Sequence, residues 1–437
     1  MKFYSTRDPQ ARVNFQEALF QGLAPDGGLY IPEEDLQLQT HFKALDKNSS
    51  FHEIAALVTA YLLKGELDGG SVHRIVKNAF PFEPKLVMMD EQLSILELFH
   101  GPSCAFKDFG ASFLAASMEE FLQHSDRKAV ILTATSGDTG SAVAQAFHNK
   151  KNIDVVILYP TGRVSPLQEK QLTTLGGNVT ALEVKGSFDD CQNMVKKAFL
   201  DPDLSHQFPL TSANSISLGR LIPQSFYYIW AFAQLKEQLK EEFYFSVPSG
   251  NFGNLTAGLY AWKWGLPVTG FVAATNANDV VPQYLETGIY SPRPSRLTLS
   301  NAMDVGNPSN FERMEALFHK NRNLMRALVF GDTVSDAQTL DTMRDVKARS
   351  NMDICPHTAV GYAAARRFLR ENHIDRGHIS VLATAHPAKF LEVVEQATGR
   401  RPELPPQLVE VAKKQKQSIA IGNTLADLSK TLKEVLL

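Results

Sequence analysis

"AVILTATSGDTGSAVA", residues 129–144, opens as an unbroken apolar run, breaks at two glycines and resumes as a run of small residues. A compact apolar run ended by a glycine-broken loop reads as a strand over 129–135, and the small residues after it read as a helix beginning near Ser141. The same alternation continues along the chain. "IDVVILYP" (153–160) is a second strand, and "SPLQEKQLTTLGG" (165–177) is a helix with Ser165 as its N-cap, Pro166 at its first position and Gly176-Gly177 as its stop. "NVTALEV" (178–184), a helix from about Phe188, and the strands "FYFSVPS" (243–249) and "HISVLATA" (378–385) carry it onward. Strands alternating with helices predict an α/β fold of parallel sheets covered by helices.

Residues 1–90 read differently, as a mainly helical N-terminal subdomain. The expected division is completed by a smaller α/β lobe over 91–205 and a larger one over 206–437. With 437 residues, 44% of them hydrophobic, the chain can bury a large core. A formal net charge of -3 without a basic block leaves no electrostatic footprint for nucleic acid and no polybasic membrane patch. The expected ligand is a small molecule, and the expected assembly a monomer or homodimer. Cys104, Cys191 and Cys355 are far apart and odd in number, which suggests neither a disulfide framework nor a thiolate metal site. No histidine lies in an HExxH spacing, so no metal is expected. The opening "MKFYSTRDPQ" lacks a signal-peptide core, and a cytoplasmic location is expected.

Two loops share one template. "SGDTGSAVA" (136–144) and "SGNFGNLTAG" (249–258) each place Ser-Gly-x-x-Gly between an apolar strand and a helix of small residues. Glycines let backbone N–H groups converge, and a helix N-terminus adds unpaired donors, so both loops are candidate anion cradles. Neither ends in the Lys-[Ser/Thr] of a nucleotide P-loop. In "GPSCAFKDFGASFLA" (101–115), Lys107 stands in the expected first turn of a helix capped by Ser103, with Phe106, Phe109, Phe113 and Leu114 on one face. The positive end of the helix dipole and desolvation by the phenylalanines both disfavour an ammonium, with Asp108 as a partial offset. Two readings stand: a lysine that snorkels past core aromatics to water, or an amine nucleophile.

An amine beside a phosphate cradle is what a pyridoxal phosphate site requires. At this point the chain resembles the threonine synthase family of fold-type II pyridoxal phosphate enzymes. The resemblance runs nearly end to end, through "GLAPDGGLYIPE", "HGPSCAFKDFG", "LTATSGDTGSAVA", "VSPLQEK", "SANSISLGRL", "VPSGNFGNLTAG", "SNAMDVGNPSN" and "TAHPAKF". It implies a two-lobed fold like that of the tryptophan synthase β subunit, and conversion of O-phospho-L-homoserine and water into L-threonine and phosphate. By the same resemblance Lys107 carries pyridoxal 5′-phosphate as a Schiff base and acts as the catalytic base. Gly250, Asn251, Phe252 and Asn254 hold the cofactor phosphate, and Thr384 faces the ring nitrogen. Ser136, Gly137, Asp138 and Thr139 resemble the substrate-carboxylate loop, although many relatives carry asparagine where this chain has Asp138. Arg163 and Ser165, at a strand end and helix start, are candidates for the substrate phosphate, with Asn214 beside them in "SANSIS"; Arg163 also reads as a solvated loop arginine. A phospho-lyase or dehydratase releasing a 2-oxo acid, and a non-catalytic binding protein on the same fold, are the alternatives.

Overall fold

Six strands make the larger sheet of this computed structural model, which describes residues 1–123, 125 and 127–437. Their spatial order is Val329–Thr333, Gly270–Thr275, Phe243–Pro248, His378–Ala383, Leu93–Glu97 and Lys85–Met88. Neighbours run parallel except at the last edge, where Lys85–Met88 pairs antiparallel with Leu93–Glu97. The smaller sheet is parallel throughout, in the order Ile419–Ile421, Val179–Val184, Ile153–Pro160, Ala129–Ala134 and Leu210–Thr211. Because both faces are covered by helices, these strands are apolar almost continuously rather than alternately.

Each sheet sends alternate side chains to different clusters, as a two-residue repeat requires. From the larger sheet, Phe243, Phe245, Phe271 and Ala273 enter a central cluster, while Tyr244, Val272 and Ala274 face a second. From the smaller sheet, Ile131, Val155 and Ile157 enter that same central cluster, and Val130, Val156 and Leu158 face a third. The helix Lys107–Leu122 supplies Phe109, Phe113, Leu114 and Met118 to the shared cluster. Phe109 packs on the rings of Phe51, Phe80, Phe82 and Tyr227 at 5.1–6.0 Å between centroids. Each such fully buried aromatic contributes about 1.5–3 kcal/mol, so the helix that begins at Lys107 is firmly seated between the two sheets.

The α/β expectation with parallel sheets stands, but the sheets do not follow the expected segment boundaries. Leu93–Glu97 belongs to the larger sheet although it lies within 91–205, and Ile419–Ile421 joins the smaller sheet from the far C-terminus. The helix Leu425–Leu436 follows it there, packing Leu428 and Leu432 against Val195 and Leu204. The N-terminal segment also holds a small antiparallel sheet, Arg12–Val13 with Phe3–Ser5 with Tyr30–Pro32, beside its four helices. Strands of two or three residues are too short to show a periodic signal. Among the described residues no helix is long and apolar enough to cross a membrane.

Candidate active site

The carboxyl ends of parallel strands are where an open α/β sheet presents its loops to a ligand. Three loops leave adjacent strands of the larger sheet there: residues 98–106 after Leu93–Glu97, 249–252 after Phe243–Pro248, and 384–386 after His378–Ala383. The loop 135–137 reaches toward them from the smaller sheet. Phe106 N–H donates to the Thr384 carbonyl at 2.8 Å, and Ala105 and Ala385 form an isolated bridge. Thr384 is thereby tied, through backbone, to the residue just ahead of Lys107. Its hydroxyl makes no hydrogen bond among the described residues.

The helix begins at Lys107 itself, with Phe106 as an N-cap that offers no side-chain bond. Ser103 does not cap it: the Ser103 N–H is engaged by Asp108 Oδ2 at 2.9 Å, and the buried Ser103 hydroxyl has no partner. Lys107 stays in the first turn, as expected from the sequence. Desolvation brings its pKa down from 10.5 to about 8, with Arg220 and Lys389 adding repulsion. The opposing pull comes from Asp138, 31 positions along the chain, and not from the adjacent Asp108. Asp108 is buried, and its own pKa is pushed up to about 6, chiefly by desolvation.

The loop 249–254 is built as a cradle. Phe252 takes a left-handed φ of 60° at the start of the helix Gly253–Lys263, which has no side-chain cap. A bulky residue in that region is uncommon, and it stands at the positive end of a helix, where the first backbone N–H groups have no partner within the helix. Gly250 backs onto Met303, whose Cα would lie 2.7 Å from an added Cβ, so no larger residue fits. Asn254 is buried, and its Oδ1 accepts from the hydroxyls of Tyr227 at 2.6 Å and Tyr228 at 2.7 Å. Those bonds fix the amide's orientation and leave Nδ2 buried with no partner. An unsatisfied buried donor costs about 1–3 kcal/mol unless an acceptor arrives, so the cradle suits an anion. Asn251 is occupied differently: its Nδ2 donates to Ser215 Oγ, and its Oδ1 accepts from Ser309 N–H.

The loop 136–139 is held from several sides. Gly137 has φ 147°, a conformation that favours glycine, and a Cβ there would come within 2.8 Å of Gln168. The helix starts at Asp138, three residues ahead of the expected Ser141. Asp138 is buried, and its Oδ1 accepts from Lys389 Nζ at 2.7 Å and from Gln168 Nε2 at 2.9 Å. Burial alone raises its pKa, but Lys389, Lys107 and these hydrogen bonds hold it well below the ordinary carboxylate range. Ser136 is exposed and Thr139 half-buried. Ser165 caps Pro166–Thr173 as expected, with Gln168 linking it to Asp138. Asn214 Oδ1 accepts from Thr133 at 2.6 Å, below the 136–139 loop. Arg163 is exposed and makes no side-chain hydrogen bond or ion pair among the described residues.

An amine of lowered pKa beside an anion cradle fits a known family. Residues 92–385 match the family described as pyridoxal-phosphate dependent enzyme, residues 2–80 the threonine synthase N terminus, and residues 358–432 the threonine synthase C-terminal family. The chain is 44% identical to the threonine synthase of Haemophilus influenzae over 93% of its own length and 94% of the relative's. The PLP-bound threonine synthase of Brucella melitensis superposes with a TM-score of 0.92 at 35% identity, covering 99% of both chains. The threonine synthase of Escherichia coli superposes at 0.89 and 41% identity, over 99% of this chain and 100% of that one. The chain belongs to the threonine synthase family.

In this threonine synthase family member, several site residues carry no signal in the local sequence. Lys389 sits in the 3₁₀ turn Pro387–Phe390, its ammonium fully buried between Asp138 Oδ1 and the Ser103 carbonyl, each at 2.7 Å. The motif "TAHPAKF" contains it, but nothing in that spacing tells a buried lysine from an exposed one. Tyr227 and Tyr228 read as core aromatics, and only the fold aims their hydroxyls at Asn254. His357 lies in the helix Pro356–Glu371, and burial pushes its pKa down to about 4. Its Nε2 accepts from Ala302 N–H at 3.1 Å, which steadies the segment behind Gly250.

Proposed function

We propose that this chain converts O-phospho-L-homoserine and water into L-threonine and inorganic phosphate in the cytoplasm, using pyridoxal 5′-phosphate. The observation that carries this reading is the orphaned Asn254 Nδ2 in an uncapped helix-start cradle, tied through Tyr227 to Phe109 on the helix that begins with Lys107, an amine of pKa about 8. Lys107 would hold the cofactor covalently, Gly250, Asn251, Phe252 and Asn254 would take its phosphate, and Thr384 would face its ring nitrogen. The bound cofactor supplies an electron sink for charge developed on the substrate carbons. The chain's own residues supply proton transfer and anion binding. With a pKa near 8, about half of Lys107 is neutral at pH 8, which suits an amine that takes and returns protons at substrate Cα and Cβ. We assign the substrate carboxylate to the loop Ser136, Gly137, Asp138 and Thr139, where backbone N–H groups at a helix start are the donors. The deciding experiment is incubation with O-phospho-L-homoserine and identification of the products. Equal yields of threonine and phosphate are expected, whereas a 2-oxo acid in place of threonine would assign phospho-lyase or dehydratase chemistry.

For the substrate phosphate we assign Arg163, Ser165 and Asn214. An exposed arginine that meets the phosphate on arrival binds ground state and transition state alike, so its loss acts on KM. Arg163→Ala is expected to raise KM about tenfold, as befits one lost charge-assisted contact, with kcat little changed. A KM equal to that of the wild type would remove Arg163 from the phosphate site.

Thr384 offers a neutral hydroxyl where a carboxylate would hold a proton on a ring nitrogen. Loss of a γ-phosphate followed by water addition at Cβ needs charge passed along the substrate and not locked in the ring. Thr384→Asp is therefore expected to slow phosphate release by roughly tenfold or more, about 1.4 kcal/mol per decade. Thr384→Ser should stay active. Steady-state phosphate release from both variants decides it, and an Asp variant as fast as the wild type would sink the role given to Thr384.

A further inference from the structure

The site holds two lysines, and the mechanism above uses only one. Lys389 is the more deeply buried of the two, with no exposed side-chain surface. Its ammonium joins three segments that each carry a site residue. It belongs to the turn after Thr384, it pairs with Asp138 in the 136–139 loop, and it donates to the Ser103 carbonyl in the turn ahead of Lys107. Gln171 Nε2 also donates to Ser103 O at 3.2 Å, and Asp108 Oδ2 takes the Ser103 N–H, so that turn is held on both sides of its peptide. A buried ammonium is costly unless it is paired and hydrogen-bonded, and here it is both.

Asp138 is a carboxylate within electrostatic reach of two ammonium groups. Its contact is with Lys389, and Lys107 acts on it only through space. Were Lys389 absent, Lys107 would remain as a cation that acts on Asp138. An amine locked into a buried ion pair keeps its proton and is held away from an incoming aldehyde or carbon acid.

We propose that Lys389 is a positioning residue for Lys107: clamped between Asp138 and Ser103, it occupies the Asp138 carboxylate and so keeps that carboxylate from capturing the Lys107 amine. This rests on the reading of Lys107 as the reactive amine, but not on the identity of the substrate. Facing Lys107 are Asp138 from its helix start, Arg220 from the helix Leu218–Leu221 and Lys389 from its turn. Around Lys389 and Asp138 stand Cys104, Asp108 and His357. The Cys104 thiol is pushed up to about 12 and His357 down to about 4, so neither changes charge near pH 8. Removing the Lys389 charge acts on Lys107 twice in one direction. It deletes a repulsion, and it leaves Asp138 free to attract.

The test reads the Lys107 amine directly. The full-length protein, freed of cofactor, is acylated with acetic anhydride over a range of pH, and the rate at Lys107 is followed by peptide mapping. In the wild type the midpoint should fall near pH 8. In Lys389→Met it should rise by about one to three pH units, the range of a nearby opposite charge newly unopposed. In Lys389→Met combined with Asp138→Asn, the added neutralisation should bring the midpoint back toward the wild-type value. Lys389→Arg, which keeps the charge, should stay close to wild type. A packing role alone would lower the melting temperature of Lys389→Met without moving the midpoint, and that result overturns the proposal. Should Lys389→Met fail to fold, Asp138→Asn decides alone: its midpoint must fall below the wild type's, and an unchanged midpoint overturns the proposal. Because acylation needs no substrate, a wrong reaction assignment would leave these shifts intact, whereas a wrong amine would show as a Lys107 peptide that does not titrate near pH 8.

Discussion

Lys107→Ala is expected to abolish threonine formation while leaving the fold intact. One amine serves as cofactor attachment and as base, so removing it takes away both functions, and a loss of about four orders of magnitude or more is expected. The fold should survive because the Lys107 side chain makes no hydrogen bond among the described residues and its charge is disfavoured where it stands. The sign of the pH effect follows from its lowered pKa. Between pH 8 and 10.5 the folded, cofactor-free protein binds fewer protons at this site than the unfolded chain, so stability gained at Lys107 is present above 10.5 and lost as pH falls through 8. Cofactor-free wild type should therefore gain melting temperature across that window at this site, and Lys107→Ala should lack that increment. Phosphate release, the visible absorbance of added cofactor and calorimetry from pH 7 to 11 read the three effects. A variant retaining more than a small fraction of wild-type turnover would mean that another amine does the work.

Asn254→Asp is expected to weaken cofactor retention by about 100-fold or more. The substitution keeps the shape, and the new carboxylate can still accept from Tyr227 and Tyr228, so the surrounding bonds need not break. What changes is the atom that now lacks a partner. A buried N–H donor becomes a buried anionic oxygen facing an anion, which loses one charge-assisted hydrogen bond and adds a repulsion; together these exceed the roughly 2.7 kcal/mol that a 100-fold change needs. Cofactor titration followed by absorbance, with thermal unfolding as the control for folding, gives the answer. Unchanged affinity in a folded Asn254→Asp protein would place the phosphate cradle elsewhere.

Local chemistry is legible in the sequence wherever its cause is local. Apolar runs closed by glycine give the strands Ala129–Ala134, Ile153–Pro160 and Phe243–Pro248, because a strand buried on both faces must be apolar along its whole length. Ser165 and Pro166 mark the start of their helix, because a cap and a fixed φ act within one turn. The alternation of such elements is enough for the α/β class. Tertiary structure decided the rest. The helix starts at Lys107 and not at Ser103 because Asp108 engages the Ser103 backbone and the Thr384 carbonyl takes the Phe106 N–H. The smaller sheet takes the strand Ile419–Ile421 because strand pairing depends on proximity in space, and no pattern in three residues announces a partner more than 200 positions away. Asn254 has its free donor because two tyrosine hydroxyls fix its amide, and the buried Asp138 stays a carboxylate because Lys389, 251 positions from it, is buried at its side. Desolvation and Coulomb attraction depend on distance and burial, and both come into being only when the chain has folded.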